Sequence, residues 1–171
     1  AVVVAVLSWR IVVNMASRQQ RMNASFDVLH LVNTYGAFGS VTKVRREVII
    51  EGTLDPDPGP ATEWREYEVQ GKPGDVRRRP PQVAPYHLRL GWLLWFVALA
   101  PGYGEGWLRP LTTKLLDADP AILRLFRVDP FDGQPPTFVR MRLHRYELTT
   151  RAERRRSGEW WRREPVGTLQ G

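Results

Sequence analysis

Between Tyr86 and Ala100 the chain has almost no polar face. Leu88, Leu90, Trp92, Leu93, Leu94, Trp95, Phe96, Val97 and Leu99 fall on every side of a helix drawn through them. A helix that is apolar all round has to be enclosed. At about 1.5 Å of rise per residue it reaches only ~22 Å, short of a ~30 Å hydrocarbon core. The segment therefore reads as a central core helix that the rest of the chain must cover. With 171 residues there is about one domain of material to do so, and a domain of that size can bury roughly 70% of its unfolded surface.

The covering material alternates. Val44 to Leu54 reads as a strand, the prolines of Asp55-Pro-Asp-Pro-Gly-Pro60 force a turn, and Glu63 to Val69 reads as its hairpin partner. Phe138 to Thr149 places Val139, Met141 and Leu143 on one face and Arg140, Arg142 and His144 on the other, the pattern of a half-buried antiparallel strand. Arg151 to Gly158 reads as a basic turn and Glu159 to Leu169 as the next strand. Two helices follow the core helix. One spans Trp107 to Ala118 and a shorter one Pro120 to Arg127, with Asp119 as N-cap and Pro120 in the first helical position. The fold class expected is α+β: an antiparallel sheet or sandwich packed around a buried Trp-rich helix, with two further short helices.

Val2 to Met15 is apolar and rich in β-branched residues, which favours one or two strands. Its alternative is the trailing end of a membrane helix, since the run is too short to span alone and lacks the basic lead of a secretory signal. Residues 1–24 are taken as this lead-in and 25–171 as the domain. Arg18 to Ser25 reads as a turn and Phe26 to Phe38 as an irregular loop.

Little in the chain suggests catalysis. There is no cysteine, which excludes disulfides and thiolate metal sites. His30, His87 and His144 are scattered without metal-ligand spacing. No Gly-x-Ser-x-Gly elbow occurs. Asp75 and Glu105 stand alone, which leaves paired acid–base work unsupported. Gly102 to Gly106 lacks the flanking pattern of a phosphate loop. No cofactor or metal is expected. The net charge of +7 points to anionic partners such as acidic protein surfaces, lipid headgroups or nucleic acid. The aromatics lie mostly in apolar runs, unlike a base-stacking platform, so no specific nucleic acid is expected. The runs Arg77–Arg79 and Arg154–Arg156 read as solvated loops or as contacts to anionic headgroups. Trp92 and Trp95 share a helix face and read as core. Trp160 and Trp161, adjacent on a strand, point to opposite faces. At least one is expected at the surface, beside Arg162 and Arg163.

Several short blocks occur in a fixed order: Asn33-Thr-Tyr-Gly-Ala-Phe-Gly39, Glu51-Gly-Thr53, Trp64-Arg-Glu-Tyr67, Lys72-Pro-Gly-Asp75, Pro85-Tyr-His-Leu-Arg-Leu90 with its Trp-rich sequel, Asp129-Pro-Phe131, Pro135-Pro136, the strand around Tyr146, and Gly158-Glu-Trp-Trp161. Each is weak alone. The ordered set, from about Ser25 to the C-terminus, resembles the C-terminal domain of the lipase maturation factor family. Two departures stand out. The family pattern carries an acidic residue where Gly91 stands, and Val166 to Leu169 lacks the expected aromatic and proline ending.

The resemblance implies a non-catalytic maturation factor domain of a membrane protein, joined to a multi-helix membrane region on its N-terminal side. Its partner would be a secreted lipase-like client, with anionic lipid as a further contact. Eukaryotic relatives imply the endoplasmic reticulum membrane, and a bacterial member the bacterial cell membrane. The client contacts implied are Asn33, Tyr35 and Phe38 in the first block, Lys72, Asp75, Tyr86, His87 and Arg89 in the long connection, and Trp160, Trp161 and Arg162 in the last strand. Competing readings are a membrane-linked transferase or hydrolase, which a cluster of Asp75, Tyr86 and His87 around a deep pocket would favour, and a basic polyanion-binding module.

Overall fold

In the computed structural model the described residues are 2–18, 28–34, 44–83 and 86–169. They fall into two units, 1–43 and 44–171. The first contains helix α1 (Val2–Ala16), which corrects the expectation of strands there. β-branched residues lose less than ~0.7 kcal/mol each in a helix. Leu7, Trp9, Met15 and Ala16 are good or neutral helix formers, and the helix satisfies its own backbone. Leu7, Ser8, Ile11 and Asn14, at helical spacing, are half-buried, while Val2, Val6, Trp9 and Met15 are exposed. Among the described residues no helix is long and apolar enough to cross a membrane.

The second unit is α+β, as expected. Strands β1 (Arg45–Thr53), β2 (Arg65–Val69), β3 (Phe126–Val128), β4 (Phe138–Leu148) and β5 (Trp161–Leu169) form one antiparallel sheet in the order β3-β2-β1-β4-β5. The β1–β2 hairpin is closed by Thr62, whose hydroxyl donates to Asp55 Oδ2 at 2.6 Å, while Thr53 Oγ1 accepts from the Asp55 amide. β1 is the centre: every residue from Glu47 to Thr53 is buried. Because side chains alternate along a strand, Val48 and Ile50 face one side, and Glu47, Ile49 and Glu51 the other.

The core helix forms as α2 (Arg89–Leu99) and is followed by a 3₁₀ turn, Pro101–Gly104. It packs on the Val48/Ile50 side through Leu94, Val97 and Ala98, joined by Leu111 and Leu115 of α3 (Leu108–Leu116), by Tyr67, Phe126 and Met141 from the sheet, and by Phe131 from the turn between β3 and β4. Trp92, Trp95 and Phe96 remain half-buried and continue to Tyr103, with successive ring centroids 5.3–5.5 Å apart.

Two further expectations change. The helix beginning at Pro120 is only α4 (Pro120–Leu123). Phe126 to Val128 leaves it to form edge strand β3, because burying the Phe126 ring against Tyr67 at 5.4 Å outweighs continuing the helix. Arg151 to Ser157 is helix α5, not a turn. Thr150 Oγ1 accepts from the Glu153 amide, Glu153 Oε2 accepts from the Thr150 amide, and Gly158 closes the helix with φ of 74°. That reciprocal cap satisfies two orphan donors at once.

Candidate functional site

The side of the sheet opposite α2 is ionic. Register pairs Glu47 with His144 and Glu51 with Arg140 across β1 and β4, and Tyr146 with Arg163 across β4 and β5. Arg140 meets Glu51 at 2.6 Å, and Arg163 meets Glu66 at 2.7 Å. Glu68 lies 2.6 Å from Arg78 and also takes Arg127. Burial, together with the cations Arg163 and Arg142, pulls the His144 pKa down.

The loop after β2 lies over this face and explains the Lys-Pro-Gly-Asp block. Lys72 is buried: its ammonium donates to the carbonyls of Val48 at 2.9 Å and Pro73 at 3.2 Å and sits 3.3 Å from Glu47 Oε2. Burial lowers its pKa and Glu47 opposes that shift. A Cβ at Gly74 would come within 2.9 Å of Glu68 Cγ, so the backbone approaches closely only because the residue is glycine. The Gly74 carbonyl accepts from the Tyr146 hydroxyl at 2.8 Å, and burial pushes that hydroxyl to a pKa of about 12. Asp75 Oδ1 accepts from the Arg77 amide and turns the chain.

That turn brings the loop to β5. The Val76 carbonyl accepts from the amides of both Trp160 and Trp161, at 2.8 and 3.1 Å. Trp161 is buried, its ring 6.0 Å from that of Tyr146. Trp160 keeps part of its surface, with the guanidinium of Arg154 4.0 Å from its ring centroid and that of Arg79 5.7 Å away. On the same loop and helix, Arg77, Arg155 and Arg156 are exposed. Among the described residues none of these five arginines has a carboxylate within 4.0 Å. The result is a cationic surface centred on an indole.

The expected contact residues thus divide. Asp75 and Trp160 share this surface. Lys72 and Trp161 lie beneath it, and their burial makes them structural supports. Arg162 is on its edge, already paired with Glu147 and 3.6 Å from Glu153. Tyr86, His87 and Arg89 are exposed at the entry to α2, where the His87 ring lies 5.2 Å from that of Trp92. Asn33 is half-buried in the first unit. Tyr35 and Phe38 lie outside the described residues. A cleft of about 410 Å³ opens beside Arg89, but Asp75, Tyr86 and His87 do not line it. The residues that sequence reading left out are Arg79 and Arg154 as neighbours of Trp160. The signal for Arg154 was the Thr150-x-x-Glu153 box, which sets the phase of α5.

Residues 31–170 match a family model described as the lipase maturation factor C-terminal domain. Lipase maturation factor 1 of mouse is 44% identical over 169 residues, covering 97% of this chain and 29% of that protein. The human counterpart is also 44% identical, with 97% and 30% covered. Human lipase maturation factor 2 is 36% identical over 152 residues, covering 85% of this chain and 20% of its own length. The chain therefore spans less than a third of the length of these relatives. No solved structure matches it.

Proposed function

The chain belongs to the lipase maturation factor family, and on that premise we propose that it is the client-gripping part of a maturation factor and does no chemistry itself. The relatives' name supplies the client class, a lipase-like protein. The observation that carries the reading is the Trp160 surface: a half-buried indole between Arg79 and Arg154, amid arginines that, among the described residues, have no carboxylate within 4.0 Å. Aromatic and arginine side chains are the residue types that concentrate binding energy in protein interfaces. The fit is to an acidic, partly apolar surface on the client. Rigid elements hold both sides of the indole, the β4–β5 ladder and the capped helix α5, so binding loses little to ordering.

The membrane setting belongs to the same proposal. The exposed valines of α1 support placing the first unit at or near a membrane, in the endoplasmic reticulum or in a bacterial cell membrane. Cationic side chains near an anionic leaflet each contribute about 1 kcal/mol, so the arginine-rich surface could meet headgroups as well as client.

The test separates those two uses. Arg79→Ala with Arg154→Ala is expected to reduce capture of a secreted lipase about tenfold, with the thermal midpoint moved by less than about 2 °C. Binding to vesicles containing phosphatidylserine should fall far less. Undiminished capture alongside lost vesicle binding would make the surface a headgroup patch and remove the client reading.

A further inference from the structure

The 410 Å³ cleft lies apart from the Trp160 surface, between the end of β2, the first turn of α2, and helices α3 and α4. Its walls are mostly aliphatic, with Leu90, Leu93, Leu111, Ile122 and Leu125 among them and Trp107 beside them. The polar groups that reach it are mostly engaged. The Gln70 amide donates to the carbonyls of Arg124 and Phe126 at 3.3 and 3.4 Å, and Lys114 is held by Asp119 at 2.6 Å. Arg89 and Arg124 are different. Both line the cleft, both are exposed, and among the described residues neither has a carboxylate within 4.0 Å.

We propose that this cleft binds a long-chain carboxylate, with the acyl chain along the leucine walls and the carboxylate between Arg89 and Arg124. A sugar or nucleotide would leave buried hydroxyls and amides without partners in such a wall, which is costly. An aliphatic cleft is poorly hydrated and takes up apolar ligands. The volume falls in the range of about 300–1,000 Å³ usual for small ligands. A protein partner would need ~800 Å² on this side. Yet of the apolar lining residues only Leu88, Pro110 and Leu125 are strongly exposed, so little apolar surface extends beyond the cleft. The arginine fork matches a carboxylate in two-point geometry. This proposal stands independently of the client reading, because it uses different residues on different elements.

Displacement of cis-parinarate fluorescence by palmitate, below micellar concentration and with the 171-residue chain, tests it. Single-site, saturable binding is expected, strengthening several-fold from laurate to palmitate as apolar contact grows. Arg89→Gln with Arg124→Gln should weaken palmitate about tenfold while leaving palmitate methyl ester, already weak, unchanged. Gly91→Leu should block both ligands. A Cβ there meets only Gln70 O at 3.4 Å and Lys72 Cβ at 3.9 Å, ordinary contact distances. Replacing a helical glycine also favours the fold, so the thermal midpoint should hold or rise. Non-saturable binding, or binding that Gly91→Leu leaves intact, overturns the proposal. So does an acidic amphipathic peptide or an anionic vesicle that binds through Arg89 and Arg124 when palmitate does not.

Discussion

One strand, β1, is buried on both sides, and the two sides are buried by opposite means. Toward α2, Val48 and Ile50 meet Leu94, Val97 and Leu115 in a dry aliphatic and aromatic layer. Toward the Lys72 loop, Glu47 and Glu51 flank Ile49 and are neutralised one by one, by Lys72 with Arg45 and by Arg140. The first side needs only volume and apolarity. The second needs particular partners at particular positions, since a buried charge is tolerated only when paired. It follows that the helix side supplies stability, while the ionic side fixes where the loop lies and so where Trp160 is presented.

The sharpest way to break that comparison is to remove one ion. Glu47→Leu leaves the Lys72 ammonium buried with only carbonyl partners and should cost about 3–5 kcal/mol, read as a fall in the urea midpoint. Adding Lys72→Met should recover most of that loss. If the double variant is no better than the single, the pair contributes net stability and the division of labour fails. On the helix side the logic differs. Leu94→Ala, at a fully buried position, should cost about 2–5 kcal/mol. A second truncation there, Leu115→Ala, should deepen the loss, because two cavities do not compensate each other.

These two sides were unequally legible in the sequence. The alternation of Val139, Met141 and Leu143 with Arg140, Arg142 and His144 located β4, and the continuous apolar run located α2. Periodicity, however, marks Arg140, Arg142 and His144 as solvent-facing, whereas His144 is buried and Arg140 is half-covered. Arg140 lies 3.8 Å from the Trp64 ring centroid and 2.6 Å from Glu51, and such partners are chosen by long-range contacts that no local pattern encodes. For the same reason the resemblance places Lys72 among the client contacts, although its side chain is buried. Valine content misled the reading of Val2–Ala16, because the helix penalty per residue is smaller than the strand signal suggests. At the candidate surface the Trp160–Trp161 pair was legible as having at least one member at the surface, but not which one: Trp161 is buried and Trp160 keeps part of its surface. Its flanking arginines come from residues 79 and 154, joined only through the Val76 carbonyl and the phase of α5.

His144 gives a milder probe of the ionic side. Burial holds its pKa below the usual 6.5, so the folded state prefers the neutral ring. The unfolded chain takes up the proton first as pH falls through about 6.5. Stability is thus complete above that value and declines below it until the folded ring also protonates. Urea midpoints between pH 7.5 and 5 should slope downward toward acid, and His144→Gln should flatten the slope. This window precedes the titration of Glu147 and Glu153, whose pKa values are lowered by hydrogen bonds from Arg162 and from Thr150 respectively. An unchanged slope in the variant would move the acid sensitivity elsewhere.

The smallest expected effect on stability bears most directly on function. Thr150→Ala removes one half of the reciprocal cap on α5, at about 1 kcal/mol and a fall in thermal midpoint of roughly 2–4 °C. A seven-residue helix cannot hold itself in water, so the loss should concentrate in α5 and release the Arg154 guanidinium from the Trp160 ring. Lipase capture should then fall by more than the loss of folded protein accounts for. Thr150→Ser, which keeps the oxygen, should restore it. Were capture to track only the folded fraction, Arg154 would be an ornament of the indole, and the Trp160 surface would have to work through the Arg79 side alone.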